Sequence, residues 1–237
     1  MGTSPQSGAG WTHQHRDVSG GKLRPIVFGA VDGLVTNGSL IAGVGGSGLG
    51  RTALILTGLA GLVAGAVSMA TGEYISVANQ NELVASEAAV ESERHTKFPA
   101  AELAELTEVF LGYGVDPAAA AHVAEVINSD PEVALRFHMR EELGVDPSAL
   151  PSPIVAAVAS LVSCALGGLV PLLPFLLGST SLALALGIVA VALFLGGEAV
   201  GRVTGRRRFA AGLRQLALGT LAVAVAYGIG RIAGSVA

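Results

Sequence analysis

The stretch TALILTGLAGLVAGAVSMATGEYISVA, residues 52–78, runs directly into NQNELVASEAAVESERHTK, residues 79–97. The first part is apolar, and Glu73 is its only acid; the second carries Glu82, Glu87, Glu91 and Glu93. The 27 residues of the first part rise roughly 40 Å as a helix, more than the ~30 Å hydrocarbon core of a bilayer. Neither part contains proline, so nothing stops the helix at the membrane surface. The expected fold is therefore an all-α membrane protein of five transmembrane helices, with a helical insert between the second and third.

Composition supports this. Of 237 residues, 51% are hydrophobic and 14% charged, and the mean hydropathy is +0.61. A soluble domain carries about 25% charged residues. Fourteen of the eighteen acids fall between Glu82 and Asp146, so the polarity is concentrated in one segment. Residues 1–21 read as a flexible tail without an apolar signal core, in which His13 and His15 could bind metal only weakly. Residues 22–78 hold spans one and two, the first from Ile26 to about Gly46. Residues 79–150 form the insert, expected on the cytoplasmic side. Residues 151–237 hold spans three to five, near Ile154–Leu177, Ser181–Ala199 and Ala211–Ile232. The single cysteine, Cys164, excludes a disulfide within the chain and reads as a small core residue.

Within the insert, Pro99 opens a helix that Gly112 and Gly114 end. Asp116-Pro117 and Asp130-Pro131 are two further helix starts, each with an N-cap acid followed by proline at the first position. Twelve of the fourteen Lys and Arg residues lie in the tail and its junction with the first span (Lys22 and Arg24), the insert and the 201–214 loop. The excess of positive charge puts those segments and the N-terminus in the cytoplasm and the C-terminus outside. The membrane is expected to be a prokaryotic plasma membrane, or an organelle membrane in a eukaryote.

Three acids lie at membrane depth, where an ionisable group is costly and usually functional: Asp32, Glu73 and Glu198. Asp32 shares a polar helix face with Thr36 and Asn37. Met69, Glu73 and Ser76 form a second polar stripe on the second span. Carboxylates suit hard or borderline divalent ions, and a thioether tilts a site toward transition metals. A carboxylate can also exchange a proton for a metal, which is the minimal equipment of a proton-coupled carrier. Glu198 is expected instead to pair with Arg202, four residues on. In the insert, Glu102 and Glu105 share a helix face, His138, Met139 and Glu142 cluster on one turn, and Glu91 lies on the first helix. Glutamates on several packed helices can converge on metal, although a charged helical face is more often merely solvated.

The runs Asp32-Gly33-Leu34-Val35-Thr36-Asn37 and Ser68-Met69-Ala70-Thr71-Gly72-Glu73-Tyr74-Ile75-Ser76 resemble the first two spans of the vacuolar iron transporter family, the plant and yeast-type Fe(II)/Mn(II) carriers. The resemblance extends through the insert, Thr204-Gly205-Arg206 and Tyr227-Gly228-Ile229-Gly230. It implies a homodimer with the ion path between subunits, metal-for-proton exchange, and a cytoplasmic metal-binding domain. Asp32 and Met69 match the family's transport positions, with Glu73 adjacent to them. Glu91, Glu102, Glu105, Met139 and Glu142 match its metal-binding positions. Arg94 stands where a further glutamate would be expected and His138 where a second methionine would be; Glu93 could compensate for Arg94 only from another side of the helix.

The expected function is thus export of Fe(II) or Mn(II) from the cytosol by metal/proton antiport. Zn(II), Co(II) and Ni(II) are further candidate ions, and no permanently bound cofactor or nucleic-acid partner is expected. A metal channel or uniporter is the near alternative. A membrane scaffold whose acidic insert docks a partner explains the charge but not Asp32. A di-iron oxidase would carry a repeated Glu-x-x-His. Ser92, Ala119 and Leu135 precede His95, His122 and His138 by three residues, so no enzyme of that type is expected.

Overall fold

A computed structural model describes residues 23–236; the tail and its two histidines lie outside them. Helix α1 (Leu23–Gly46) is followed by a tight turn in which Gly48 adopts φ 85°. Helix α2 (Arg51–Lys97) is a single rod of 47 residues, about 70 Å long. The spans and the insert are therefore joined by unbroken backbone at residues 78 and 79. Three short helices complete the insert: α3 (Pro99–Gly112), α4 (Pro117–Asn128) and α5 (Pro131–Leu143). Asp116 accepts hydrogen bonds from the Ala118 and Ala119 N–H groups, and Asp130 does the same for Glu132 and Val133. Both acids thus satisfy donors that a helix start leaves free. Gly144 ends α5 at φ 64°, a left-handed cap that glycine adopts without strain.

The chain re-enters the apolar region as α6 (Pro153–Leu169). Pro171 and Pro174 break the third span as their sequence demands: a 3-10 turn covers Val170–Leu172, and α7 (Leu173–Leu176) finishes it. Helices α8 (Leu182–Val203) and α9 (Arg208–Val236) follow. Helix α8 runs four residues beyond the expected Ala199, and Glu198 forms no ion pair with Arg202 among the described residues. Five helices are long and apolar enough to cross a membrane, and no strand occurs among the described residues.

Helix α1 is the centre of the apolar bundle and packs against α2, α6, α8 and α9. One core joins Leu34 and Ala42 of α1 to Val189 and Leu193 of α8 and Val223 of α9. A second gathers Ile41, Leu54, Leu172, Phe175 and Ala185. Small residues let the backbones meet. A Cβ at Gly33 would collide with the Cys164 carbonyl, and one at Gly167 with the Ala30 carbonyl. In lipid, where water drives no helix association, such close van der Waals contact is a principal source of packing energy. Arg51 Nε donates to the Phe175 carbonyl at 2.8 Å, closing the far end of the broken third span. The insert has its own interior, with Leu106, Ala120, Ala124 and Ala134 fully buried.

Candidate functional site

Two groups of residues stand out, and α2 contributes to both. The first lies among α1, α2 and α6. A small pocket of about 10 Å³ is lined by Asp32, Thr36 and Asn37 of α1, Gly61 and Gly65 of α2, and Cys164 and Gly168 of α6. That is room for about one water. Thr36 Oγ1 donates to Asp32 Oδ1 at 3.4 Å, so this pair from the α1 stripe meets on one face. Asn37 is almost fully buried, and its Nδ2 donates to the Gly168 carbonyl at 2.5 Å. Because α6 ends at Leu169, that carbonyl belongs to a last turn short of helical donors. Asn37 Oδ1 is buried without a hydrogen-bond partner and faces α2 at Gly61. Met69 follows Gly65 by one turn, about 6 Å, and Glu73 by two turns, about 12 Å. Within one chain, Glu73 and Ser76 do not line the Asp32 pocket; they stand farther along α2 toward the insert.

The second group lies in the insert, roughly 40 Å from Gly65 along the same helix. Glu91 and His95 of α2, Glu102 of α3 and His138 of α5 each present one ligand-type atom, all within 4.8 Å of one another. Glu102 is fully buried, His138 is 3% exposed and Glu91 is 6% exposed. Buried carboxylates and imidazoles are normally satisfied by hydrogen bonds. Here Glu91 Oε1, Glu102 Oε2, His95 Nε2 and His138 Nε2 have none. Glu91 Oε1, Glu102 Oε2 and His95 Nε2, buried and without partners, converge with the His138 ring, a donor set suited to a cation. His138 Nδ1 lies 3.2 Å from Glu142 Oε1, 3.5 Å from Glu91 Oε1 and 3.9 Å from Glu102 Oε2, so it is the ring nitrogen that faces the carboxylates. The His95 and His138 rings meet edge to face at 4.7 Å.

The electrostatics fit such a set. Burial, then the like charges of Glu142 and Glu102, pushes the Glu91 carboxyl up to about 7. Burial, with His138 beside it, lowers the His95 pKa and favours the neutral ring that ligates metal. Of the other expected ligands, Glu142 sits at the partly exposed edge of the group. Glu105 is turned to Arg94, whose Nη2 donates to Glu105 Oε2 at 3.1 Å. Met139 is buried beside His138 in sequence, about 100° around α5 from it. Glu93 pairs with Lys97 on the exposed surface and does not stand in for Arg94.

Residues 23–231 match the model of the VIT family. The chain belongs to the VIT family. Vacuolar iron transporter 1 of Oryza sativa subsp. japonica is 33% identical over 225 residues, covering 92% of this chain and 89% of that protein. Vacuolar iron transporter 1 of Arabidopsis thaliana is 29% identical, covering 93% and 90%. A vacuolar iron transporter of Toxoplasma gondii is 28% identical, covering 92% of this chain and 76% of that protein. This VIT protein is thus an integral membrane protein of a transporter family rather than an enzyme.

One member of the VIT insert group escaped the sequence reading. In the sequence, His95 completes no Glu-x-x-His motif, because Ser92 precedes it by three residues. The available signal was the spacing Glu91-x-x-x-His95, which puts both side chains on one face of α2.

Proposed function

We propose that this VIT protein exports a divalent transition metal from the cytosol in exchange for protons, with Fe(II) or Mn(II) as cargo and Zn(II), Co(II) and Ni(II) as further candidates. The observation that carries this reading is Asp32: a carboxylate at membrane depth that lines a small pocket, beside a buried amide oxygen that lacks a partner. The names of the relatives supply iron as the first cargo to test.

In this reading the insert captures metal from the cytosol through Glu91, His95, Glu102 and His138, with Glu142, Glu105 and Met139 at its margins. The ion then passes the α2 stripe of Ser76, Glu73 and Met69 and reaches Asp32, Thr36 and Asn37. Asp32 binds the metal as its proton leaves, and takes up a proton from the other side as the metal departs. Positive charge near one set of span ends supports a cytoplasmic insert and N-terminus. Thr36 and Ser76 are exposed at or near lipid depth in a single chain, which favours a second copy covering that face of α1 and α2 and completing the path as a homodimer.

The test is Fe(II) and Mn(II) flux into proteoliposomes with a pH-sensitive dye inside, for wild type and Asp32→Ala. Opposed metal and proton movement that the variant abolishes is the expected result. Metal flux without proton movement would make the protein a channel or uniporter. No flux of any candidate metal would overturn transport.

A further inference from the structure

The carboxylates of the insert already hold a cation, and it belongs to the chain. Arg94 spreads its guanidinium over three of them. Nε lies 3.0 Å from Glu102 Oε1, Nη2 3.1 Å from Glu105 Oε2, and Nη1 4.0 Å from Glu91 Oε2. The remaining oxygens of the two buried acids, Glu91 Oε1 and Glu102 Oε2, point the other way, toward His95 and His138. Glu91 and Glu102 therefore bridge two positions. One is filled by the guanidinium; the other is bounded by Glu91 Oε1, Glu102 Oε2 and His95 Nε2, all buried without hydrogen-bond partners, and by Nδ1 of the His138 ring.

We propose that Arg94 is a built-in substitute for a second metal ion and limits the insert to one divalent ion, held by Glu91, His95, Glu102 and His138. This rests on the reading of the insert as a metal-binding domain. A guanidinium is planar, permanently charged and shaped to pair with carboxylates, so it supplies the charge and the contacts of a second cation without dissociating. It also fixes the two bridging acids before any metal arrives. The two imidazoles set the class of ion: Fe(II), Co(II), Ni(II) and Zn(II) accept nitrogen ligands readily, whereas Mg(II) and Ca(II) prefer oxygen.

The experiment uses the full chain in detergent on an Asp32→Ala background, so that binding in the membrane path is removed. Co(II) and Zn(II) are the probes, with calorimetry for stoichiometry and the visible Co(II) spectrum for ligand type. Arg94-intact protein should bind one ion per chain, with a Co(II) spectrum that changes in His95→Ala. Arg94→Glu should bind two or more. Arg94→Gln, which removes charge without adding a ligand, should bind the first ion about tenfold more tightly or better, since a positive charge within several ångströms has gone. Two or more ions with Arg94 intact, or an Arg94→Gln affinity that does not change, would overturn the role of Arg94 while leaving the metal-binding insert standing. If Arg94→Glu does not fold, those two measurements decide the matter. No ion bound with Arg94 intact or in either variant would instead sink the metal-binding reading itself.

Discussion

Asn37 Nδ2 on α1 donates to the Gly168 carbonyl on α6 at 2.5 Å, in the wall of the pocket that holds Asp32. The bond links the helix that carries the membrane acid to the place where the third span breaks. Helix α6 loses its regular ladder at Val170–Leu172, and Asn37 supplies a donor to one of the carbonyls that the break frees. Asn37 thus ties the helix that carries Asp32 to the break at Pro171.

Asn37→Ala should therefore destabilise the bundle. The substitution strips a buried carbonyl of its donor, which costs about 1–3 kcal/mol. The thermal midpoint of the purified protein in detergent should fall, and Asn37→Asp should not restore it, because an ionised Asp offers no donor. An unchanged midpoint in Asn37→Ala would show that water or a rearranged backbone serves Gly168 equally well.

Glycines of this chain should divide sharply by what a methyl group would meet. Gly167→Ala puts a Cβ into the Ala30 carbonyl and forces α1 and α6 apart, whereas Gly187→Ala meets open space on α8. Both substitutions raise helix propensity by about 1 kcal/mol. Only the first should lower the yield of monodisperse protein and its thermal midpoint. Equal behaviour of the two in size-exclusion chromatography and thermal unfolding would contradict the close α1–α6 crossing.

Much of this architecture was legible because its signals are local. Asp116-Pro117 and Asp130-Pro131 each act over three residues, and both acids do cap their helices. The polar stretch after residue 78 reads as helix because it lacks prolines and glycines, and α2 indeed runs on to Lys97. What the sequence conceals is pairing between elements. That Arg94 turns to Glu102 and Glu105 depends on how α3 folds back against α2, which no spacing within α2 encodes. The same holds for Glu198 and Arg202: i, i+4 spacing permits a pair, but the exposed Arg202 leaves it unmade among the described residues. His95 lay between these cases, since its spacing from Glu91 was visible but its meeting with His138 was not.

Glu102→Gln should weaken metal binding by the insert at least tenfold, because it removes a carboxylate that is fully buried at the meeting point of α2, α3 and α5. Glu132→Gln changes an exposed acid at the start of α5 and should leave binding alone. Zn(II) calorimetry on the two full-length variants compares them directly. If both lose affinity equally, diffuse negative charge attracts the metal rather than a built site.

The Glu91 carboxyl gives the metal-free insert a pH dependence with a definite sign. Its pKa is about 7 when folded, against an ordinary 4.5. Below pH 4.5 both folded and unfolded chains hold the proton, and the contribution of Glu91 to stability is fully present. Between 4.5 and 7 the unfolded chain has ionised while the folded one stays protonated, so stability falls as pH rises through 7. The loss is on the order of a few kcal/mol at most. His95 works in the opposite direction, because its lowered pKa favours the folded state as pH rises. The contribution of Glu91 therefore has to be isolated by comparison with Glu91→Gln, which imitates the protonated carboxyl. Hydrogen exchange of the α3 and α5 amides in chelator-treated protein is the measurement. Wild type and variant should be similarly protected at pH 5, and wild type should be less protected at pH 8. Parallel profiles across that range would mean that the buried carboxyl is relieved by a rearrangement of Arg94 or by water.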